Sequence, residues 1–539
     1  MTTNWRTFFD RAERAHAEFL LDGEATYAAM KAAIRKADSN DHYVYILGWM
    51  LQDDFALTAD SPETLFELLK DVASKGKPGD KGVEIRGLIW DNPLHEEDTE
   101  KAIGRLNKLK NTQFFKDPHT FYREESNRYL QNVTRTTIVI LLAYFPRLAL
   151  VLKQGWPKYW ELLNRPWGTV RNLGAHHEKV VIVKGRDGLV GFCGGLDFSS
   201  TRVIKKTKNP GPRFPGYHDA ACKVDGRAAF ELLKKFVLRW DNHPGARSMK
   251  LLGATEPQPA PAPPLPSAPP PAPPIAYAPY VQVIGTYNPP RGRHGTIGPM
   301  PRDRSARKAY FDIIENAESY IYIEDQYLVN LDIAKRLNKK IREPKFEYLT
   351  IVIQQASETT DMLIPNRKRA EFINTVYGDA PNSARQKVTV CVIDKARWEH
   401  ERYHPGLHAK VLIADDTIAI IGSPNINRRS LTLDSETAVV LFDEKLFPWS
   451  FARRFRQATW KEYSKRKDLP FTYELPWALP RGVGKGHYIV TKYTGGDMED
   501  LDVVMKVLLE ATSVYTRLLD IDALFEGLWE HAIDPWADD

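Results

Sequence analysis

Two short segments of the sequence each place a histidine two residues before a lysine. They read His177-Glu178-Lys179 and His408-Ala409-Lys410. Residues two apart on an extended chain point to the same side, so each imidazole shares its space with an ammonium group. An imidazole held beside a fixed cation, with hydroxyl and amide donors nearby, suits a phosphate oxyanion. The spacing therefore predicts chemistry on a phosphate group.

The same order of elements follows each histidine. In the second copy the apolar run Val411–Ala414 leads to a turn at Asp415-Asp416, and a returning strand ends at Gly422-Ser423-Pro424-Asn425. In the first copy the run Val180–Val183 leads to a turn and then to Gly194-Gly195-Leu196-Asp197. A strand that returns beside its neighbour brings small polar residues back to the histidine end. We therefore expect Ser423, Asn425 and Asp197 to bind the phosphate.

These segments belong to two halves that repeat each other. Strand-like runs follow helical patterns in both halves, and a further apolar strand comes after each of them. The helical patterns are 25–37 and 305–317, and the strands are 43–46, 83–89, 320–323 and 349–353. Helices alternating with β-branched runs predict an α/β fold. We expect two similar α/β/α sandwich lobes that form a pseudo-dimer, with the active site between them.

A proline-rich segment separates the halves. Half of residues 256–279 are proline, which predicts an extended linker, with an SH3-type ligand as the alternative. The predicted organisation is an N-terminal lobe at 1–255, the linker at 256–279, a C-terminal lobe at 280–480, and a tail at 481–539 that packs on the lobes.

With these motifs in place, the sequence resembles the phospholipase D superfamily, which carries a duplicated His-x-Lys-x(4)-Asp motif. Other segments strengthen the resemblance over most of the chain and point to its phospholipase branch. They are Ile323-Glu324-Asp325-Gln326-Tyr327, Tyr217-His218-Asp219, the run from Phe236 to Trp240, and the ending from Leu528-Trp529 to Asp534-Pro535.

The resemblance implies a two-step phosphodiester exchange without a metal or other cofactor. One histidine forms a covalent phosphohistidine, and the other protonates the leaving alcohol and then activates water or an acceptor alcohol. Family precedent makes His177 the nucleophile and His408 the general acid and base, with Lys179, Lys410 and Asn425 neutralising phosphate oxygens. Asp415 completes the second motif and is grouped with the catalytic residues. Asp219 and Glu436 are expected to orient the histidines, and which acid holds which histidine stays open.

Two positions depart from the family pattern. Lys184 stands where the first motif should carry its aspartate, and Asp187 in the following turn is a candidate replacement. In the family that aspartate supports the architecture rather than touching substrate, so its loss is compatible with activity. Asp197 replaces the asparagine of the second copy, a change that phospholipase members commonly tolerate.

The general composition fits an ordinary globular protein with an anionic partner. The chain has 539 residues, a formal net charge of +6 and three scattered cysteines, which exclude a disulfide framework. No apolar secretory signal follows Met1, so we expect a cytoplasmic or peripheral membrane protein, with export by a specialised route left open.

Two segments bear on whether the partner is a membrane or a nucleic acid. Residues 136–152 are nearly all apolar but too short to span a bilayer, so we expect either an interfacial element or a buried helix or hairpin. The basic cluster from Arg202 to Lys208 could face anionic headgroups, a nucleic-acid backbone or solvent. No nucleic-acid-binding signature is visible, so no nucleic acid is expected, and we expect a monomer whose internal pseudo-dimer acts on a phospholipid membrane surface.

The sequence therefore predicts a phospholipase D that hydrolyses glycerophospholipids to phosphatidate and the free headgroup alcohol, with headgroup exchange as a further activity. The alternatives are a superfamily nuclease, a cardiolipin-synthase-like phosphatidyltransferase, and a catalytically dead phospholipid-binding protein.

Overall fold

The computed structural model describes residues 3–76, 79, 81–92, 96–117, 174–203, 217–260, 278–288, 291–292, 295–296, 301–353, 363–393, 406–444, 449–464 and 490–493. Several sequence predictions fall outside these residues. They are the apolar segment 136–152, most of the proline-rich linker, residues 204–208 of the basic cluster, and the C-terminal ending 528–535.

Strands and helices alternate along the described chain. The strands are β1 Glu13–Arg14, β2 Ala17–Leu21, β3 Tyr43–Gly48, β4 Ala56–Thr58, β5 Ser61–Thr64, β6 Glu84–Trp90, β7 Thr112–Asp117, β8 Val180–Gly185, β9 Gly188–Gly194, β10 Tyr217–His218, β11 Ala220–Val224, β12 Tyr280–Thr286, β13 Arg291–Gly292, β14 Gly295–Thr296, β15 Tyr320–Asp325, β16 Tyr348–Ile353, β17 Val388–Ile393, β18 Gly406–Leu407, β19 Lys410–Ala414, β20 Ile418–Gly422, β21 Glu436–Phe442 and β22 Val490–Tyr493.

The helices occur in both halves of the chain. They are α1 Asp22–Ile34, α2 Leu65–Ala73, α3 Glu96–Leu106, α4 Gly226–Asn242, α5 Ser305–Asn316, α6 Leu331–Ile341, α7 Leu363–Tyr377, α8 Asn382–Arg385, α9 Arg428–Thr432 and α10 Phe451–Ser464. Local sequence explains where several begin: Thr64 and Glu67 form a capping box at α2, and the side chain of Asn330 caps α6. Among the described residues, no helix combines the length and the apolar character needed to cross a bilayer.

Two large sheets show the internal duplication directly. The first has the order β2-β11-β9-β8-β3-β6-β7, and the second has the order β1-β12-β21-β20-β19-β15-β16-β17-β22. Seven consecutive strands correspond, from β2 and β12 at one side to β7 and β17 at the other. In each sheet three neighbouring strands are parallel, β3-β6-β7 in the first and β15-β16-β17 in the second, and the hairpin strands pair antiparallel. The prediction of an α/β fold with a repeated unit is confirmed, while the pseudo-dimeric relation of the lobes stays a prediction.

The predicted strands form because their residues suit a sheet that is covered on both faces. All six residues of β3, Tyr-Val-Tyr-Ile-Leu-Gly, are buried, as are all six of β15. The helical pattern predicted at 305–317 is α5, and the pattern predicted at 25–37 is α1, which begins three residues earlier. The elements that carry the site were therefore predicted correctly from apolar periodicity.

Three clusters of buried apolar side chains form the core. One lies between α1 or α2 and the first sheet, and another lies between α5 or α6 and the second sheet. The third contains residues of both sheets together with α4 and α10. The facing sides of the two halves therefore share a common core.

The N-terminal segment packs on the second half of the chain. Trp5 and Phe9 belong to the core cluster of the second sheet, and β1 pairs antiparallel with β12. The indole nitrogen of Trp5 donates a hydrogen bond to Thr417 over 3.0 Å. The predicted domain boundary at residue 255 stays a prediction, and residues 5–14 pack against the second sheet.

Candidate active site

The two His-x-Lys segments lie at the entrances of equivalent strands. β8 begins at Val180 and β19 begins at Lys410, so His177 and His408 stand just before their strands. Of the two His-x-Lys pairs, only Lys410 lies within a strand. Each lysine still turns toward its own histidine: Nζ of Lys179 donates to the carbonyl oxygen of His177 over 2.9 Å, and Lys410 makes the equivalent bond to His408.

Backbone hydrogen bonds fasten each histidine to the opposite half of the chain. The N–H of His177 donates to the carbonyl of Ser435 over 2.9 Å, and the N–H of His408 donates to the carbonyl of His218 over 2.8 Å. The short parallel pair of β10 and β18 extends the second contact. Ser435 and His218 each stand immediately before an acidic residue, so these bonds bring an acid of one half to the histidine of the other.

The acids and histidines consequently pair crosswise. Nδ1 of His177 lies 3.0 Å from both carboxylate oxygens of Glu436, and Nδ1 of His408 lies 2.6 Å from Oδ2 of Asp219. A hydrogen on Nδ1 that donates to the carboxylate leaves the lone pair on Nε2. The question that the sequence left open thus has a geometric answer: each half supplies the acid for the histidine of the other half.

The two acids are more deeply buried than the two histidines that they contact. The side chains of Glu436 and Asp219 have no exposed surface, whereas His177 keeps 15% and His408 keeps 7% of theirs. The imidazoles can therefore meet a ligand, and the acids can act only through them. Burial, assisted by Lys179 and Lys410, lowers the pKa of His177 well below its usual value. Burial, followed by Arg202 and Lys410, does the same for the pKa of His408.

Burial also shifts the pKa values of the charged groups around the imidazoles, upward for the acids and downward for Lys410. Burial raises the pKa of Glu436 to about 7, against the opposing effect of Lys179, and raises the pKa of Asp219 to about 6. Burial also lowers the pKa of Lys410 to about 8, although Asp219 and Asp325 favour its charged form. Burial and the neighbouring cations thus both favour the neutral form of the two imidazoles.

Two of the three predicted phosphate ligands hold catalytic groups instead. The hydroxyl of Ser423 donates to Glu436, so its single hydrogen is already used. Asp197 lies 3.2 Å from Nζ of Lys179 and accepts backbone N–H groups from Trp49 and Met50. A carboxylate cannot donate to a phosphate oxygen, so we assign Asp197 to positioning Lys179.

The third predicted phosphate ligand, Asn425, remains available. Its side chain is 4% exposed, and its Oδ1 is buried without a hydrogen-bond partner. The unpaired oxygen is an acceptor, so it does not itself call for an oxyanion, and only the amide NH₂ of Asn425 can donate to a phosphate oxygen. The predicted role of Asn425 in binding phosphate stays a prediction.

Asp415 lies away from the histidines, at the far end of β19. Its carboxylate accepts backbone N–H groups from Glu318, Ser319 and Tyr320 over 2.7 to 2.9 Å, and so fixes the start of β15. This residue was grouped with the catalytic residues in the sequence prediction. The structure instead gives it the architectural function that the family pattern implies for this aspartate.

The first half makes the equivalent connection without an aspartate at position 184. Lys184 pairs with Glu256, and Asp187 pairs with Lys36 at the surface. The N–H of Arg186 donates to the carbonyl of Lys36 over 3.0 Å, which ties the β8–β9 turn to the end of α1. These contacts take the place of the ones that an aspartate at position 184 would make. They lie at the C-terminal end of β8, whereas His177 stands before its first residue.

Three further residues surround the site and were missed or only partly identified from the sequence. The ring of Trp49 lies 6.3 Å from that of His177, and the ring of Tyr217 lies 5.6 Å from that of His408. The guanidinium of Arg202 stands 4.5 Å from the centre of the Tyr217 ring. Tyr217 directly precedes the predicted His-Asp pair, whereas Trp49 directly follows β3 and lies three residues after the strand predicted at 43–46. The position of Tyr217 therefore carried a signal that the sequence could have provided.

Buried ion networks support both histidine segments from behind. His176 lies 3.1 Å from Asp117 and 3.5 Å from Glu178, and both acids pair with Arg239 of α4. Behind the other histidine, His218 bridges Asp22 of α1 and Glu324 of β15 over 2.9 and 3.3 Å. Although burial lowers the pKa of His218, these two acids raise it well above its usual value. His218 therefore links Asp22 of the first half to Glu324 of the second half, and its carbonyl oxygen accepts the N–H of His408.

In the described parts of the chain, no group of three or more His, Cys, Asp or Glu is arranged to hold a metal ion. The expectation of metal-independent chemistry stays a prediction.

Comparison with known proteins gives three kinds of similarity. Residues 310–459 match a family described as cardiolipin synthase, PLD-like domain. The chain is 23% identical to phospholipase D alpha 4 of Arabidopsis thaliana, over 80% of this chain and 62% of that protein. It is 25% identical to cardiolipin synthase 1 of Bacillus cereus, over 54% of this chain and 49% of that protein.

A solved structure of similar fold is the phosphatidylserine synthase of Haemophilus influenzae. It matches with 10% identity and a TM-score of 0.47, over 82% of this chain and 87% of that chain. The chain spans less than two thirds of the length of the curated relatives reported above.

Proposed function

Because the chain belongs to the phospholipase D superfamily, we propose that it is a phospholipase D that cleaves the headgroup phosphodiester of glycerophospholipids at a membrane surface. The observation that carries the proposal is the crosswise pairing of His177 with Glu436 and of His408 with Asp219. It leaves Nε2 of both imidazoles without a hydrogen-bond partner among the described residues, and the charges of Lys179 and Lys410 act on both rings.

The first step is attack on phosphorus by Nε2 of His177. The lone pair is available there because Nδ1–H is directed at Glu436, which also stabilises the positive charge that develops on the ring. The bond from phosphorus to the headgroup oxygen breaks, and a phosphatidyl group remains attached to His177. We assign this role to His177 on family precedent.

His408 transfers the protons. With substrate bound, Nε2–H of His408 protonates the departing alcohol, and the neutral ring then removes a proton from water, whose oxygen attacks phosphorus and releases phosphatidate. Arg202 and Lys410 disfavour the protonated ring before substrate binds. A bound phosphodiester anion offsets their charge, so substrate binding itself favours the acid form of His408.

Lys179, Lys410 and Asn425 stabilise the charge that moves onto the non-bridging oxygens. Lys179 is fixed by Asp197 and by the carbonyl of His177, so little rearrangement accompanies the reaction. The completeness of this arrangement also supports an active enzyme over a catalytically dead binding protein.

A second candidate is transfer of the phosphatidyl group to an alcohol instead of water. The match of residues 310–459 to a cardiolipin synthase domain supports it, because the same phosphohistidine can be attacked by any hydroxyl that reaches it. The two activities share their first step and differ only in the acceptor.

Product analysis on mixed phospholipid vesicles tests both candidates. The assay contains EDTA, together with ethanol or phosphatidylglycerol as acceptor, and compares the wild type with His177→Ala, His408→Ala and His16→Ala. His16 is a matched control because its side chain is 57% exposed and pairs only with Asp225 among the described residues. We expect phosphatidate and the transfer product from the wild type and from His16→Ala, and a loss of roughly 100- to 10,000-fold in the other two variants. No lipid turnover by the folded wild type, together with nicking of plasmid DNA, would replace the proposal with a nuclease.

The assignment of the nucleophile needs a substrate whose leaving group requires no proton. With a phosphatidyl ester of p-nitrophenol, His408→Ala should release about one equivalent of nitrophenol per enzyme in a burst, while His177→Ala should release none. The reverse result would exchange the two roles.

A further inference from the structure

Arg202 is a buried cation at the active site that the proposed mechanism does not use for binding. It ends the short 3-10 helix Ser200–Arg202 and is 8% exposed. Its Nε is buried without a hydrogen-bond partner, and no carboxylate among the described residues forms an ion pair with it. A guanidinium is planar and carries five donors, so a buried one without an acceptor is expensive.

The position of this guanidinium is fixed by Tyr217. The ring of Tyr217 contacts two groups: the guanidinium of Arg202 is 4.5 Å from the ring centre, and the imidazole ring of His408 is 5.6 Å away in an edge contact. The backbone is held as well, because an added Cβ on Gly23 would lie 2.1 Å from the carbonyl oxygen of Arg202. Arg202 is thus a fixed charge beside His408.

A comparison of the two repeats shows why one half needs an additional cation. In the first repeat Lys179 lies against the carboxylate of Asp197, which cancels much of its charge. The second repeat has the neutral Asn425 at the position of Asp197, so Lys410 faces no such residue there. The first repeat has Arg202 five residues after Asp197, and the second repeat has Ser430 five residues after Asn425. Arg202 restores the positive charge that Asp197 removes.

We propose that Arg202 binds the transferred phosphoryl group, as a third cation beside Lys179 and Lys410. The inference rests on the proposed function and extends it with a residue outside the His-x-Lys segments. Arginine donates two parallel hydrogen bonds to an oxyanion, which a lysine cannot do. The transition state carries more charge on its non-bridging oxygens than the substrate does, so this contact strengthens during the reaction.

The test measures binding of tungstate, a tetrahedral oxyanion that resembles phosphate, to the full chain by calorimetry. Arg202→Gln should weaken the affinity on the order of tenfold to a hundredfold, the effect expected for losing charge-assisted hydrogen bonds. Arg202→Lys, which keeps the charge, should have an intermediate affinity. Arg14→Gln is the matched control, because Arg14 is also buried, faces the ring of Tyr280 and has an unpartnered Nε, but lies on β1.

Lipid turnover separates this contact from recognition of the headgroup. Arg202→Gln should lower kcat/KM by the same factor on a phosphatidylcholine vesicle and on a phosphatidylserine vesicle, because both present the same phosphoryl group. An unchanged tungstate affinity, or a loss confined to the serine lipid, would overturn the proposal. Failure of the wild type to bind tungstate would overturn it too. If the wild type binds tungstate but turns over no lipid, the proposed function fails while the tungstate comparison still decides the role of Arg202.

Discussion

At the scale of single residues, the site depends on buried acids that are difficult to ionise. Glu436 and Asp219 have no exposed surface, and yet each must carry a charge to hold the Nδ1–H of a histidine. The adjacent lysines compensate only in part, because burial still raises the pKa of both acids. The protein therefore loses stability in order to keep these carboxylates at the site, and that loss can be measured.

Glu436→Gln should gain stability relative to the wild type as the pH rises. Burial raises the pKa of Glu436 from its ordinary value to about 7, so the folded protein binds this proton more tightly than the unfolded chain does. The wild type loses this stabilisation as the pH rises from that ordinary value, about 4.5, through about 7, and glutamine cannot ionise. The Tm of Glu436→Gln minus that of the wild type should therefore become more positive between pH 5 and pH 8, while kcat falls roughly 100-fold or more.

Asp443→Asn is the control for this comparison. Asp443 is another buried acid whose pKa is raised to about 7, but it follows the far end of β21 and accepts the N–H of Phe451. Its variant should show the same trend of Tm with pH and unchanged kcat. A Tm difference for Glu436→Gln that stays constant across the pH range would show that ionising Glu436 does not destabilise the folded protein.

At the scale of elements, the strand ends determine the site because they approach one another closely. β9 ends in Gly194, and an added Cβ on the following Gly195 would lie 2.1 Å from Oδ1 of Asp219. That carboxylate cannot move away, since Oδ1 accepts the N–H of Ala220 and Oδ2 contacts His408. The Gly-Gly element is thus required where the acid of the site meets the returning strand.

Gly195→Ala should therefore displace Asp219 and reduce kcat on the order of 100-fold, the loss expected for misplacing a catalytic group by about 1 Å. Gly104→Ala, in the last turn of α3 with open space around its Cβ position, should leave kcat unchanged and stabilise the fold by roughly 0.5 to 1 kcal/mol. Steady-state kinetics and thermal unfolding of both variants provide the comparison. Wild-type kcat in Gly195→Ala would contradict the close approach.

Lys184, which stands where the family motif has an aspartate, makes its contacts within the first sheet and with Glu256. Lys184 pairs with Tyr43 in the sheet and forms an ion pair with Glu256, which in turn accepts a hydrogen bond from the hydroxyl of Tyr43. Lys184→Asp restores the family motif but places two carboxylates together. We expect a lower Tm than for Lys184→Gln and no gain in turnover for either variant. A gain in kcat on restoring the aspartate would show that the first motif is impaired.

The sequence predicted the elements and the chemical groups better than it predicted their pairing. Apolar runs such as that of β3 and the repeated His-x-Lys spacing are local, so periodicity and spacing were sufficient to find them. The crosswise contacts join residues 259 and 189 positions apart, and no local pattern specifies such a contact. The same limit explains why Ser423 and Asp197 were predicted to bind phosphate. Their residue types suit that role, and only their contacts in the folded protein show that Ser423 holds Glu436 and Asp197 holds Lys179.

At the scale of the whole molecule, the two halves complete each other in several independent ways. The acids are exchanged, β10 pairs with β18, β1 pairs with β12, and one apolar cluster contains residues of both sheets. The covalent connection through the proline-rich linker adds little to contacts of this extent. It raises the effective concentration of one half around the other, which matters only if the contacts are weak.

A chain cut within residues 261–277 should therefore remain assembled and active. With a site for a specific protease inserted there, the cleaved protein should elute as one species at micromolar concentration and keep its kcat/KM within about twofold. Trp5→Ala provides a second variant, because Trp5 is buried in the core of the second sheet and its removal costs about 3 to 5 kcal/mol of packing. In the cleaved protein this change should weaken the association of the halves, while in the uncut chain the linker keeps them together and turnover stays near the wild-type value. Folded halves that separate after cleavage of the wild type would mean that the linker, rather than the exchanged contacts, holds the site together.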